Sequence, residues 1–162
     1  MDDCASMQNI ATSFGLQIVP VSADGNCFFR SVAFQIHQVM HSDCSAELRR
    51  HLQNLGISPE VTTEDLQLLL RHLLVEEWMN NRDEYQSFID PLEFESEVRR
   101  FRRNGEFAGP LGDALPLGMA NVLNIPLLIF TTVHNMPIVP VAPRRTFTIP
   151  SYYSLYYFSS LK

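Results

Sequence analysis

The 162-residue chain has the length of one domain, and 46% hydrophobic with 19% charged residues is the composition of a globular protein with a substantial core. Eighteen acidic against twelve basic residues give a formal net charge of −6. A chain of this charge is a poor candidate for nucleic-acid binding, because phosphate contacts need a basic surface.

The cysteines and the termini bear on the compartment. Cys4, Cys27 and Cys44 are odd in number and form no CxxC pair, so neither a zinc site nor a disulfide framework is predicted. The acidic N-terminus lacks the basic and apolar regions of a secretory leader. The apolar stretch 115–130 is too short and too interrupted by proline and asparagine to span a bilayer. We therefore expect a cytoplasmic or nuclear protein with no membrane segment.

The hydrophobic pattern predicts mainly helices in the first two-thirds of the chain. Residues 1–12 are expected to form a flexible leader, and residues 15–21 a short strand in which Leu16 and Ile18 alternate. After a turn at 22–26, apolar positions from Phe28 to Met40 repeat with helical spacing. Capping signals predict three further helices, between Ser45 and Gly56, from Thr62 to Trp78, and between Asp90 and Asn104.

The last third changes to strands. A short helix and four strands are predicted there, at residues 113–123, 125–131, 138–141, 144–149 and 152–158. Helices followed by strands indicate an α+β fold, or an α/β fold with a small mixed sheet. Residues 13–162 are expected to form a single domain.

The segment 24–31, Asp-Gly-Asn-Cys-Phe-Phe-Arg-Ser, carries the clearest chemical signal. It places Cys27 in the first turn of an apolar helix, where unpaired N–H groups and the helix dipole favour the nucleophilic thiolate. Gly25 gives the turn its freedom, and the N–H groups of Cys27 and of the turn at 24–26 are able to hold an oxyanion. The alternative is a cysteine that packs as a small hydrophobic residue.

This segment resembles the nucleophile motif of the ovarian tumour (OTU) family of deubiquitinating cysteine proteases, which is Asp-Gly-x-Cys followed by an aromatic residue or Leu, an aromatic residue, Arg and a small residue. The match at 24–31 is complete. Weaker similarity follows in the family's order, and it extends the resemblance over about residues 14–158. It includes a Leu-Arg helix at 48–50, Tyr-x-x-Phe at 85–88, a Gly-x-Trp-Gly-like segment at 104–109, and an apolar helix and strand at 115–131.

The resemblance implies a papain-like α/β (α+β) fold of OTU type, in which a helical lobe packs on a small mixed β-sheet. It implies hydrolysis of the isopeptide bond at the ubiquitin C-terminus, without a cofactor, and ubiquitin or polyubiquitin as the partner. Cys27 would be the nucleophile. Asp24 would support the oxyanion loop or orient the catalytic histidine, and Gly25 and Asn26 would contribute backbone N–H groups.

The resemblance also suggests residues that bind the ubiquitin tail. That tail carries two arginines, so acidic residues near the cleft are expected to hold it. Glu106 and Asp113 flank the loop 105–109 and are the candidates. Phe107 stands in this loop where the family has tryptophan.

The general base is the point at which the resemblance fails. The family's His-aromatic-Asp motif is not found, and His37, His41, His51 and His72 fall on or beside predicted helices. His37 and His41 lie four residues apart but lack a third ligand, so no metal site is predicted.

His134, with Asn135 beside it, is the remaining candidate for the base. The family's histidine strand would follow the strand at 152–158. The chain is therefore expected either to lack its C-terminal strand and catalytic histidine, or to be a catalytically silent module that still binds ubiquitin.

Overall fold

A computed structural model describes residues 3–43, 46–107, 109–131, 133, 136–145 and 155–159, with backbone alone for residues 3, 4 and 155–159. The helices in the described residues are α1 (Asp3–Ser13), α2 (Cys27–His41), α3 (Ala46–Asn54), α4 (Thr63–Asn80), α5 (Arg82–Tyr85), α6 (Phe94–Phe101) and α7 (Leu115–Leu123). Two 3₁₀ turns lie at Gln86–Phe88 and Pro110–Ala114, and the strands are β1 (Leu127–Thr131), β2 (Ile138–Val141) and β3 (Leu155–Ser159).

The described strands form one mixed sheet in the order β2-β1-β3. β1 and β2 are antiparallel, with Leu127 opposite Val141. β1 and β3 are parallel, with Leu127 opposite Leu155. The predicted α/β (α+β) architecture, a helical lobe on a small mixed sheet, is confirmed.

The core is built mainly by α2 and α4, which pack against each other, while α4 also packs on α7 and α2 lies against β3. The spacing of apolar residues that predicted α2 is the spacing that the structure buries. Its buried side chains are Phe28, Phe29, Val32, Ala33, Ile36 and Met40, and α4 adds Leu66, Leu70, Leu74, Val75 and Trp78. Because Phe28 and Phe29, the two residues after Cys27, are held in this core, the start of α2 is fixed in position.

Helix ends follow the predicted signals in part. The Thr62 hydroxyl accepts a hydrogen bond from the Asp65 N–H at 3.1 Å and so caps α4. Gly56, two residues after α3, has a φ of +86°. The helix predicted to start at Asp90 begins about one turn later, at Phe94, because the Asp90 carboxylate accepts from the Leu92 N–H in a turn.

The N-terminal part differs from the predicted elements. Residues 3–13 form α1, on which Met7 and Ala11 are buried, and the flexibility expected of residues 1–12 stays a prediction. The predicted strand at 15–21 is not a strand. Leu16 and Ile18 are only half-buried, and residues 15–21 pair with none of the three strands of the described sheet.

The C-terminal predictions are tested only where the structure describes the chain. Residues 144 and 145 lie in a bend, and 146–149 of the predicted strand fall outside the described residues. Of the strand predicted at 152–158, residues 155–158 are observed in β3, and 152–154 fall outside the described residues. Among the described residues, no helix combines the length and the apolar character that crossing a bilayer requires.

Candidate active site

Cys27 is the first residue of α2, and its thiol is free and half-buried. Its N–H donates to the Asp24 carbonyl at 3.1 Å, and the following residues Phe28 and Phe29 are 2% and 0% exposed. The sulfur is therefore carried at the end of a helix whose next two side chains are anchored in the core.

The Asp24 carboxylate is bound by Arg30, one turn into α2. Arg30 donates from Nη1 to Oδ1 at 3.0 Å and from Nη2 to Oδ2 at 2.9 Å, and the Asn26 N–H also donates to Oδ1 at 3.0 Å. The Arg30 guanidinium and this N–H hold the pKa of the Asp24 carboxyl below its usual value. Asp24 thus braces the loop, and its charge is directed at an arginine on α2, the helix that follows the loop. Its predicted role in orienting a histidine stays a prediction.

Two of the N–H groups expected to hold an oxyanion already donate hydrogen bonds within the loop. The Asn26 N–H is bonded to the Asp24 side chain and the Cys27 N–H to the Asp24 carbonyl. An oxyanion beside the thiol would therefore displace one of these bonds or use the Gly25 N–H.

The loop 24–26, here called the nucleophile loop, is attached to residues 103–107, here called the facing loop. Asn26 makes no helix-capping hydrogen bond with its side chain. Its Nδ2 instead donates to Asn104 Oδ1 at 2.7 Å, and its Oδ1 accepts from the Gly105 N–H at 3.1 Å. A β-carbon on Gly25 would lie 1.6 Å from the Gly105 carbonyl oxygen, so the two backbones are in direct contact.

Sequence reasoning missed Arg71, which joins the two loops from α4. Its side chain is 3% exposed, and its Nη2 donates to the Gly25 carbonyl at 2.6 Å and to Asn26 Oδ1 at 2.7 Å. Its Nη1 donates to the carbonyls of Phe101 at 2.9 Å and of Glu106 at 2.8 Å. The signal available in the sequence was an arginine on a helix otherwise leucine-rich at its buried positions.

The Leu-Arg helix that the resemblance placed at 48–50 has no part in this network. The Arg49 guanidinium donates to the Ser42 carbonyl, and Arg50 is exposed on α3. Arg71, and not either of these residues, contacts the nucleophile loop.

The three candidates for binding the ubiquitin tail lie on and after the facing loop. Glu106 is half-buried, whereas Asp113 is exposed in the turn Pro110–Ala114. Phe107 is 44% exposed, and its ring packs edge-on against Phe101 with centroids 6.4 Å apart. The structure thus places Glu106 and Phe107 on the loop that touches the nucleophile loop.

None of the four described histidines is hydrogen-bonded to Cys27. His37 and His41 stack on each other at 4.2 Å further along α2, His51 is buried and contacts the Leu123 carbonyl at 2.6 Å, and His72 is exposed on α4. His134 lies outside the described residues. The part of the chain that the structure describes contains no cluster of three or more metal-ligating side chains.

Comparison with known proteins identifies the fold. No family model matches the sequence, and no curated protein sequence matches it. A solved structure titled "Structure of OTUD1 OTU domain" superposes with a TM-score of 0.57 at 16% sequence identity, covering 98% of this chain and 87% of that one. The chain therefore has the fold of an OTU domain.

Proposed function

We propose that the chain is an OTU-like cysteine isopeptidase that removes ubiquitin from proteins or from ubiquitin chains, with Cys27 as the nucleophile. The observation that carries this proposal is the position of Cys27: a half-exposed thiol at the N-terminus of α2, preceded by a braced loop, within an OTU fold. A thiol in this setting is suited to attack on an acyl carbon.

The proposed reaction proceeds in two steps. A general base takes the proton of the Cys27 thiol, the thiolate attacks the carbonyl carbon of the isopeptide bond, and the C–N bond breaks as the lysine amine leaves with that proton, which gives a thioester. Water, losing a proton to the base, then attacks the thioester carbonyl, the C–S bond breaks, and ubiquitin leaves with a free C-terminal carboxyl group as the thiol regains its proton. In this proposal the nucleophile loop holds the oxyanion through the N–H groups of Gly25, Asn26 or Cys27, and Asp24 keeps that loop in place.

The ubiquitin tail would lie along the facing loop. Glu106 and Asp113 would meet its arginines, and the exposed Phe107 ring would pack against it. Glu106 is favoured over Asp113, because its backbone is tied to Arg71 and its neighbour Phe107 is anchored on Phe101.

A second candidate is a catalytically silent module that binds ubiquitin without cleaving it. One observation favours it: Cys27 is hydrogen-bonded to none of the described histidines. A thiol without a base would lack the proton transfer that acyl transfer requires.

The nucleophile is tested with a ubiquitin probe that carries an electrophile at its C-terminus. The parent chain should form one covalent adduct, Cys27→Ala should form none, and Cys4→Ala and Cys44→Ala should label like the parent. Equal labelling of Cys27→Ala and the parent would refute the assignment of Cys27.

Cleavage of diubiquitin separates the two candidates. If His134 serves as the base, the chain cleaves diubiquitin and His134→Ala abolishes that cleavage while the fold is retained. If the chain is the silent module, it binds ubiquitin and leaves diubiquitin intact, and His134→Ala changes nothing. The family's histidine motif is not in the sequence, so we propose the nucleophile chemistry of an isopeptidase for Cys27 and expect this 162-residue chain to react with the probe while it cleaves diubiquitin poorly or not at all.

A further inference from the structure

Arg71 makes more hydrogen bonds at the candidate site than any other described side chain, and every acceptor lies on one of two neighbouring segments. Two bonds go to the nucleophile loop, at Gly25 and Asn26, and two go to the end of α6 and the facing loop, at Phe101 and Glu106. The planar guanidinium spans both segments at once, which a single ammonium group cannot do.

The setting of Arg71 is unusual for a group that only stabilises the fold. Its guanidinium carbon lies 4.4 Å from the centroid of the Phe29 ring, and burial lowers its pKa. None of its four hydrogen-bonded acceptors is a carboxylate. A charge buried in this way loses much of its hydration, so an apolar side chain of similar size would fill the space at lower cost. What an apolar side chain would not supply is the link between the two loops.

That link lies next to the reacting group. Gly25 and Asn26 directly precede Cys27, and Glu106 directly precedes Phe107 on the side where the ubiquitin tail would lie. Asn26 completes the link, because the oxygen that accepts from Arg71 also accepts from the Gly105 N–H. The position of the thiol relative to the facing loop therefore depends on a side chain from α4, together with the bonds of Asn26 to Asn104 and Gly105.

We propose that Arg71 is the positioning residue of the active site: it holds the nucleophile loop and the facing loop in one fixed arrangement, so that a bound ubiquitin tail presents its last carbonyl to Cys27. The proposal rests on the proposed function. Arg71 touches no reacting atom and acts through Gly25, Asn26 and Glu106. Misplacement of a reacting group by about 1 Å can slow a reaction by about 100-fold, so a loosened link should act on the rate.

The test compares Arg71→Lys with Arg82→Lys. Arg82 is a matched control, because it also donates to a backbone carbonyl, that of Pro91 at 2.8 Å, and also lies over a ring, that of Phe94 at 5.0 Å. It does so at the start of α6, where it touches neither loop. Reaction with the electrophilic ubiquitin probe is followed at several probe concentrations, which separates the maximal labelling rate from the half-saturating concentration.

Arg71→Lys should lower the maximal labelling rate by about 10- to 100-fold at temperatures where circular dichroism shows it folded. Arg82→Lys should stay within about twofold of the parent, even if both variants unfold at a lower temperature. A folded Arg71→Lys chain that labels at the parent's maximal rate would overturn the proposal. If Arg71→Lys does not fold, Asn26→Ala serves instead, since it removes the side-chain oxygen that accepts from both Arg71 and the Gly105 N–H. It should lower the maximal labelling rate, and an unchanged rate would overturn the proposal.

A second readout does not depend on ubiquitin. The Gly105 amide donates to Asn26 Oδ1, so its hydrogen exchange should be faster in Arg71→Lys and unchanged in Arg82→Lys. If the parent fails to react with the ubiquitin probe, the proposed function fails, and Gly105 exchange still reports whether Arg71 links the loops. If the parent reacts while Gly105 exchange and labelling are the same in Arg71→Lys, only the positioning role fails.

Discussion

Gly25 lies with its α-carbon directly against the carbonyl group of Gly105, 80 positions further along the chain. A β-carbon on Gly25 would fall 1.6 Å from the Gly105 carbonyl oxygen and 2.9 Å from the Glu106 nitrogen. These are backbone atoms, which cannot rotate away as the end of a side chain can. The two loops are therefore in contact only because residue 25 has no side chain.

Gly25→Ala should separate the two loops. We expect the free energy of unfolding to fall by about 1–3 kcal/mol, the range for overpacking a close contact, and labelling of Cys27 by the ubiquitin probe to slow. Urea unfolding and probe kinetics measure the two effects. Gly112→Ala is the control, because a β-carbon there meets nothing within 4 Å. A Gly25→Ala chain with the parent's stability and labelling rate would show that the loops separate without consequence.

The Asp24–Arg30 pair should give the loop a characteristic dependence on pH. The folded pKa of Asp24 is lowered, chiefly by the hydrogen bonds from Arg30. The pair therefore stabilises the folded chain fully above the unfolded pKa of about 3.9, and this contribution is lost as pH falls through the folded pKa. Arg30→Gln should accordingly be less stable than the parent near pH 6 (about two units above that pKa), and the difference should shrink below about pH 4.

Denaturation at a series of pH values measures this difference. The control is Arg50→Gln, at an exposed position on α3, whose free energy of unfolding should equal that of the parent at every pH. If Arg30→Gln is less stable than the parent by the same amount at every acidic pH, ionisation of Asp24 does not contribute to the stability of the loop.

Tyr85 joins two polar side chains, those of Glu77 and Asn121. Its side chain is fully buried, and its hydroxyl donates to Glu77 Oε1 at 2.7 Å and accepts from Asn121 Nδ2 at 2.8 Å. Tyr85→Phe removes both bonds without removing the ring and should cost about 1–3 kcal/mol of unfolding free energy. Ser96→Ala removes a hydroxyl bond at an exposed position and should change stability by less than about 0.5 kcal/mol. Equal stability of both variants would mean that water replaces the lost partners of Tyr85.

Phe107 should contribute to affinity more than to stability. Its ring is 44% exposed and contacts Phe101 at one edge. Phe107→Ala should weaken ubiquitin binding by about 5- to 30-fold, the effect of losing an aromatic anchor, while the unfolding midpoint changes little. Titration of the Cys27→Ala background with ubiquitin measures the affinity. Leu92→Ala, at a side chain 92% exposed and remote from the facing loop in sequence, is the control. An unchanged affinity would exclude Phe107 from the ubiquitin surface.

The parts of the fold that local physics determines were predictable from the sequence. The apolar spacing in α2 and the cap at Thr62 each depend on residues within a few positions of one another, and both are confirmed. The strand at 15–21 was predicted from the alternation of Leu16 and Ile18, but a strand also needs a free neighbour in the sheet. In the described sheet, residues 15–21 pair with none of the three strands.

The sequence predicts the residues of the candidate site only where their type and order match a known motif. Cys27 and Asp24 stood out because a motif names them. The partners of Arg71 are mostly backbone carbonyls, at Gly25, Phe101 and Glu106, and every residue type has a carbonyl. The contact joins positions up to 46 residues apart, so no local pattern records it.

Cys27 is the first residue of α2, so substitutions in the buried face of this helix should also affect the thiol. No turn or hinge separates the thiol from Phe28 and Phe29, so a repacked core moves the sulfur with it. In a saturation mutagenesis experiment scored by probe labelling alone, intolerant positions along the helix should recur every three to four residues, at 28, 29, 32, 33, 36 and 40. Residues with no chemical role would then be scored as if they took part in catalysis, unless each labelling rate is divided by the fraction of the variant that is folded.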